Sequence, residues 1–481
     1  MKLVDALRQQ DTITENGMAT NSSSLSSVVD LFFNIGAMRG KDKARLISNF
    51  SKAFNEDPTR ALKILFWARD IRGGAGERQI FRDIIEYLAQ NHYAALNRNL
   101  EYVAEFGRWD DLLTLVGTPA EGQAFSLIQK ALLAGDGLCA KWMPRKGLVA
   151  VKLRNFMRMT PKQYRKTLVS ATNVVETKMC ANEWDSIEFG KLPSLAAGRY
   201  IRSFHKHTPD TYKAYVDALV KGEAKINAGA AYPYDVTKLI KFGQKEVADA
   251  QWAALPNWME GANDMVLPVV DVSGSMGCPA GGNPNVTCMD VAISLGLYIS
   301  ERNEGPFKDA FITFSGSPSL QVLKGSLTDR YRQLQAADWA MNTNLEATFK
   351  LILNQAVKHN LKQEDMPGKI LILSDMEFDE ATRGYVDAWG RDGFDNTVWN
   401  PTAQQMIEEM YQEAGYTVPS IVYWNLQSRN KNVPVSFDQD GTALVSGFSP
   451  AIMTSLLAGE IESPQQIMDV VIMAERYSKI K

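Results

Sequence analysis

The chain has 481 residues, 45% hydrophobic and 22% charged, with a formal net charge of −3. That composition suits a globular protein, and the length is too great for one ordinary domain. No run reaches the ~18 consecutive apolar residues of a membrane helix, so no membrane partner is expected. The start, Met1–Asp11, has no apolar leader core. The four cysteines, Cys139, Cys180, Cys278 and Cys288, form no C-x-x-C pair. Reduced thiols in a cytoplasmic protein are therefore expected. Charge is divided unevenly: Lys+Arg exceed Asp+Glu by 36 to 28 up to Glu260, and are outnumbered 16 to 27 beyond it. A basic part joined to an acidic part suggests an anionic partner for the first, or attraction between the two.

Residues 1–30 are polar and Ser/Asn-rich and read as an amino-terminal arm. Across 31–260 apolar residues recur at three- and four-residue spacing, beginning with Val29–Ile35, Asp42–Phe54 and Asp57–Asp70. Pro58 falls at a first helical position, where its missing N–H costs nothing. Arg72-Gly73-Gly74-Ala75-Gly76-Glu77-Arg78 interrupts the pattern. It is not a phosphate cradle, because helices precede it and no Lys-Ser/Thr follows. Short helices with short loops and no strand signal predict a solenoid of stacked helix pairs, without a strict repeat period.

Residues 141–166 contain no acidic side chain. Lys141, Arg145, Lys146, Lys152, Arg154, Arg158, Lys162, Arg165 and Lys166 are interleaved with Trp142, Phe156 and Tyr164. Phosphate neutralisation with occasional base stacking uses that combination. A solvated basic face whose aromatics belong to the core is the alternative. Arg202, His205, Lys206 and His207 extend the basic set. His205-x-His207 lacks further His or Cys ligands nearby, so it is read as solvated or phosphate-facing.

From Met265 the pattern changes to strand, loop, helix. Strands are expected at Met265–Asp271, Phe311–Phe314, Gln321–Leu323 (an edge), Lys369–Asp375, Ser420–Asn425 and Ala443–Ser446. Helices are expected at Met289–Glu301, Leu345–Val357, Ala403–Ala414, Ala451–Leu457 and Pro464–Tyr477. This alternation predicts a doubly wound parallel sheet over 261–481, and a multidomain α plus α/β chain overall.

The first of these strands ends in Asp271-x-Ser273-x-Ser275. One carboxylate and two hydroxyls make a hard, all-oxygen half-shell suited to Mg²⁺ or Mn²⁺ rather than zinc. Thr343 stands before a helix and Asp375 ends another strand, so all three loops can meet at one edge of a parallel sheet. Neutral hydroxyl ligands would leave the ion electrophilic, with a position open for a partner's carboxylate or phosphate oxygen. Glu377 and Asp379 read as solvated loop charges. The long Cys278–Cys288 segment could shield the ion or form part of a partner surface. No histidine or positioned general base accompanies the motif, so an enzyme is not expected.

The order Asp271-x-Ser273-Gly274-Ser275, Thr343, Asp375 resembles the metal-ion-dependent adhesion site of von Willebrand factor A domains. The resemblance implies that Ser273, Ser275 and Thr343 bind the ion directly or nearly so, and Asp271 and Asp375 directly or through water. A basic helical part feeding such a domain resembles the Ro autoantigen (TROVE) architecture, a ring of HEAT-like helix pairs closed by an A domain. Several segments are more similar to an uncharacterised family related to it: Arg69-Asp70-x-Arg72-Gly73-Gly74-x-Gly76-Glu77-Arg78, Gly107-Arg108-Trp109-Asp110-Asp111-Leu112, Trp184-Asp185-x-Ile187, Pro193-Ser194 and Ser374-Asp375-Met376-Glu377-Phe378-Asp379. The resemblance implies a scaffold that binds structured non-coding RNA outside the ring and single-stranded 3′ ends in its hole. No individual RNA contact transfers. The alternative is an interaction module whose ion captures the carboxylate of an acidic protein partner.

Overall fold

The computed structural model describes residues 12–172, 174–260, 265–314, 318–335, 343–381, 384–386, 392–394, 400–430 and 432–481. The chain folds as two compact units. A sheet unit takes the first 41 residues, 55–57 and 257–472; a helical unit takes 42–54, 58–256 and the terminal 473–481. Boundaries at 30 and 260 are thus only part of the division, because each end of the chain joins the unit built mostly from the other end.

The amino-terminal exchange follows from apolar surface. A short hairpin, β1 (Thr12–Ile13) and β2 (Ala19–Thr20), leads to helix α1 (Ser27–Ile35), capped by the Ser26 side chain on the Val29 N–H. Val28, Val29, Leu31, Phe32, Phe33 and Ile35 are all buried, so α1 is apolar around most of its circumference and must be enclosed. It packs on the sheet strand Thr442–Ser446, where the Ser446 hydroxyl donates to Phe32 O at 2.9 Å. A Cβ on Gly36 would come within 2.7 Å of the Gly447 backbone, which fixes the close approach.

The main sheet has six strands: β3 (Val266–Asp271), β4 (Ala310–Phe314), β5 (Ser319–Val322), β6 (Lys369–Ser374), β9 (Ser420–Asn425) and β10 (Thr442–Ser446), in the order β10-β9-β6-β3-β4-β5. β7 (Gly384–Val386) and β8 (Asp392–Phe394) form a separate small antiparallel ladder. All neighbours in the main sheet run parallel except β4 and β5, so it is mixed rather than wholly parallel. β3 and β6 are buried at every residue, as central strands covered on both faces must be. Pro268 is tolerated within β3 because pairing with β4 begins only at Val269. Helices α2 (Cys288–Arg302), α3 (Leu345–Lys358), α4 (Ala403–Ala414) and α5 (Pro464–Ile472) complete the layers. Gly296 lets α2 lie close, since a Cβ there would meet Val270 Cγ2 at 2.7 Å.

In the helical unit, successive helices pack as neighbours: Pro58–Arg69 with Arg78–Asn91, Ser194–His207 with Pro209–Val220, and Pro233–Lys241 with Lys245–Ala253. The glycine loop is the carboxyl-terminal cap of helix Pro58–Arg69. The Gly74 and Gly76 N–H groups donate to Asp70 O, and that of Ala75 to Trp67 O. Gly76 has φ +70°, and a Cβ there would sit 1.9 Å from the Tyr232 hydroxyl. Two acidic residues then organise charge inside the unit. Asp111 is fully buried and accepts from Arg69 Nε at 2.8 Å, Arg82 Nε at 2.6 Å and Arg108 N at 2.9 Å. Asp70 accepts from Arg476 Nη2 at 2.8 Å and the Tyr477 hydroxyl at 3.0 Å, tying down the end of the chain. The Arg69-Asp70 and Gly107–Leu112 segments are therefore structural.

Candidate metal centre at the carboxyl edge of the sheet

β3 and β6 are adjacent and parallel, so their carboxyl ends bring Asp271 and Asp375 to one place. There the chain leaves extended geometry and the loops hold one another. Asp271 is fully buried; one carboxylate oxygen accepts from Ser273 N at 2.9 Å, the other from the Ser374 hydroxyl at 2.6 Å. The Ser273 and Ser275 hydroxyls lie 2.9 Å apart, and Ser275 hydrogen-bonds to Asp375. Thr343 joins through other residues: its hydroxyl accepts from Asn16 Nδ2 at 2.9 Å and its carbonyl from Asp379 N at 3.1 Å. Residues 336–342, which precede it, lie outside the described residues.

Charge at this edge is unbalanced. Burial pushes the Asp271 carboxyl up to about 7, with Asp375 nearby adding to the shift. Burial raises Asp375 too, against the pull of the Arg429 guanidinium. Arg429 Nε stands 3.3 Å from Asp375 Oδ2, and Nη2 donates to Ser275 O at 2.5 Å. Asp375 Oδ2 is buried, and its ion pair with Arg429 lacks an aligned hydrogen bond. Two desolvated carboxylates and the Ser273 and Ser275 hydroxyls form a donor set that would be relieved by a small hard cation. Asp271, Ser273, Ser275, Thr343 and Asp375 could hold Mg²⁺ or Mn²⁺. Among the described residues no group of three or more His, Cys, Asp or Glu side chains could hold a metal ion, so an ion here depends on the hydroxyls.

Sequence reading missed three participants and misjudged two. Asn16 and Arg429 touch the cluster and Glu15 pairs with Arg429, yet none of the three stands in a recognisable pattern. Glu377, expected to be a solvated charge, is 1% exposed; it accepts from Glu15 N at 2.7 Å, from Asn432 Nδ2 at 2.9 Å and from Asn430 Nδ2 at 3.2 Å. Asp379 is half-buried and raised by that burial. The Cys278–Cys288 segment folds back as a small ladder with a Pro279–Thr287 bridge. Its two sulfurs come within 3.6 Å, and Gln427 Oε1 accepts from both at 2.6 and 2.7 Å. The side-chain contact with Cys288, aided by Arg429, holds the Cys278 thiol down to about 6 against burial.

The basic stretch lies in the helical unit, on helices Leu148–Phe156 and Pro161–Ala171 and the turns beside them. Lys141 pairs with Glu176 at 3.0 Å and Lys152 with Glu121 at 2.9 Å, so these two are partly neutralised. Arg145, Lys146, Arg158, Lys162, Arg165 and Lys166 are exposed, while Arg154 is half-buried. Tyr164 is 2% exposed and its hydroxyl donates to Pro144 O, so it belongs to the core and not to a stacking surface. Arg108 covers Trp142 at 3.8 Å, whereas Phe156 is 39% exposed. Arg202, His205, Lys206 and His207 are exposed on helix Ser194–His207. The His207 ring stacks on Trp184 at 4.3 Å, and His205 meets the edge of Tyr212. Neither histidine faces the other as a ligand pair would.

Fold and site together define an α plus α/β protein with a carboxylate–hydroxyl cluster at the carboxyl edge of its sheet. One family model, a domain of unknown function designated DUF2828, matches residues 14–137 and 143–262, over half of the chain. A second, DUF7788, also of unknown function, matches residues 265–479. The chain is 30% identical over 517 aligned positions to the uncharacterized protein L728 of Acanthamoeba polyphaga mimivirus, covering 95% of this chain and 86% of that relative. The chain belongs to the DUF2828 family.

Proposed function

We propose that this protein is a non-enzymatic RNA-binding scaffold of the cytoplasm, resembling the Ro ribonucleoprotein, with one Mg²⁺ or Mn²⁺ as a docking point in a sheet unit of von Willebrand factor A type. The observation that carries the reading is the set of exposed cations at Arg145, Lys146, Arg158, Lys162 and Lys166. None of them pairs with a carboxylate among the described residues, and all lie within a stretch that contains no acid. Structured non-coding RNA and single-stranded ends are the ligands such a surface suits, through phosphate neutralisation with Phe156 beside it.

The test is a titration of a hairpin RNA with a single-stranded 3′ tail, read by fluorescence anisotropy across a KCl series. Five phosphate contacts would give a log–log slope of about −3.5 on a single strand. Replacing all five cations by Ala should flatten that slope and weaken binding. Unchanged binding and slope remove the site from this stretch. The second reading, a protein module whose ion captures an acidic partner's carboxylate, is favoured by the hydroxyl cluster at the sheet edge. It requires partner loss on chelation with little dependence on salt.

A further inference from the structure

The β1–β2 hairpin is bonded into the rim of the candidate metal centre. Between β1 and β2 the hairpin turns tightly: Gly17 N donates to Thr14 O, Met18 N to the Thr14 hydroxyl, and Gly17 takes φ +95°. That turn presents Glu15 and Asn16 at its tip, and the tip is built into three rim loops at once. The Thr14 hydroxyl donates to Phe378 O at 2.6 Å. Asn16 Nδ2 donates to Thr343 Oγ1 at 2.9 Å and to Glu377 O at 2.7 Å, while Glu380 N returns a bond to Asn16 O at 3.0 Å. From the loop after β9, Asn430 Nδ2 reaches Glu15 Oε1 at 3.1 Å and Arg429 Nη1 stands 3.5 Å from Glu15 Oε2.

Two features separate Glu15 from an ordinary structural contact. Its carboxylate shares one guanidinium with Asp375, so a cation already bridges the hairpin to the candidate ligand set. Yet its side chain is 50% exposed, so burial does not account for its place; anchoring falls to Thr14, Asn16 and the buried Met18. A hard divalent ion held by hydroxyls retains affinity for one more anionic oxygen, and Glu15 brings one to the rim from outside the sheet loops.

We propose that the hairpin tip is the resident occupant of the docking face, with Glu15 supplying the carboxylate that a partner would otherwise bring. The inference rests on the metal-docking reading. An outside carboxylate must then displace Glu15, so the site is self-occupied until the tip lifts.

The experiment uses the full chain and Mn²⁺ alone. Mn²⁺ affinity is read by electron paramagnetic resonance, and the number of Mn²⁺-bound waters by water-proton relaxation. Glu15→Gln should weaken Mn²⁺ about tenfold, as expected for one charge-assisted contact, and add about one bound water. Glu15→Asp should recover part of both, and the half-exposed position should leave the melting temperature of Glu15→Gln unchanged. Equal affinity and hydration in wild type and Glu15→Gln would overturn the inference while leaving the metal reading intact. No Mn²⁺ binding by the wild type would overturn both.

Discussion

Removing Asp111 should unfold the helical unit far more readily than its small volume suggests. Its carboxylate is the common acceptor for Arg69, Arg82 and the Arg108 N–H, and the Arg69 side chain is only 4% exposed. Asp111→Ala strands that guanidinium without water or counter-charge, and truncating one partner of a buried pair costs about 3–5 kcal/mol. Arg82, 18% exposed, retains Asp110 at 2.7 Å, so its loss adds little. Asp111→Asn keeps the shape and forfeits the charge, for about 2 kcal/mol. Joint replacement, Arg69→Met with Asp111→Leu, takes both charges out of the core and should recover most of the loss. Urea unfolding followed by far-ultraviolet circular dichroism measures all three. A cost below about 1 kcal/mol for Asp111→Ala, or a double variant no better than the single, would show that the network does not hold the unit together.

Other outcomes follow from the same contacts. At a hundredfold excess over Kd, Mn²⁺ should stabilise the sheet unit by about 2.7 kcal/mol, or roughly 5–10 °C in melting temperature, reversed by EDTA; no shift at millimolar Mn²⁺ removes the ion. Thr343→Ala should lower Mn²⁺ occupancy with the fold retained, and full occupancy would discard that hydroxyl as a ligand. Diamide should remove two hydrogens from the Cys278–Cys288 pair, giving an intramolecular disulfide seen by mass spectrometry; mixed adducts at Cys180 alone would count against it. Gly76→Ala should destabilise more than Gly222→Ala. Both have positive φ, but only Gly76 faces an atom, the Tyr232 hydroxyl, and comparable losses would mean that Tyr232 gives way freely.

Most of the fold was legible because it rests on local pattern. The all-apolar runs Val266–Val270 and Ile370–Leu373 announce central strands, and each appears where expected. The direction of β5 was not legible, since four residues with alternating burial fit an edge in either orientation. The placement of α1 was misassigned because its periodicity matches that of the helices following it. What distinguishes it is an apolar surface on nearly every side, which called for enclosure by a sheet.

The site divided along the same line. Asp271, Ser273 and Ser275 are close in sequence and end a strand, so local reading reaches them. Asn16 and Thr343 are bonded across 327 positions, and Glu15 and Asn430 across 415. No composition or spacing links such residues; only the fold does. Glu377 shows the physical cost of that blindness. An acid two residues beyond a strand end reads as solvated, because nothing local supplies donors. Its donors are Glu15 N, Asn430 and Asn432, all from distant segments, and they permit burial at 1% exposure although desolvation raises its pKa. The hairpin that delivers Glu15 is therefore not an ornament on a finished site: without it Glu377 would lose a donor, and the Thr343 hydroxyl its bond from Asn16.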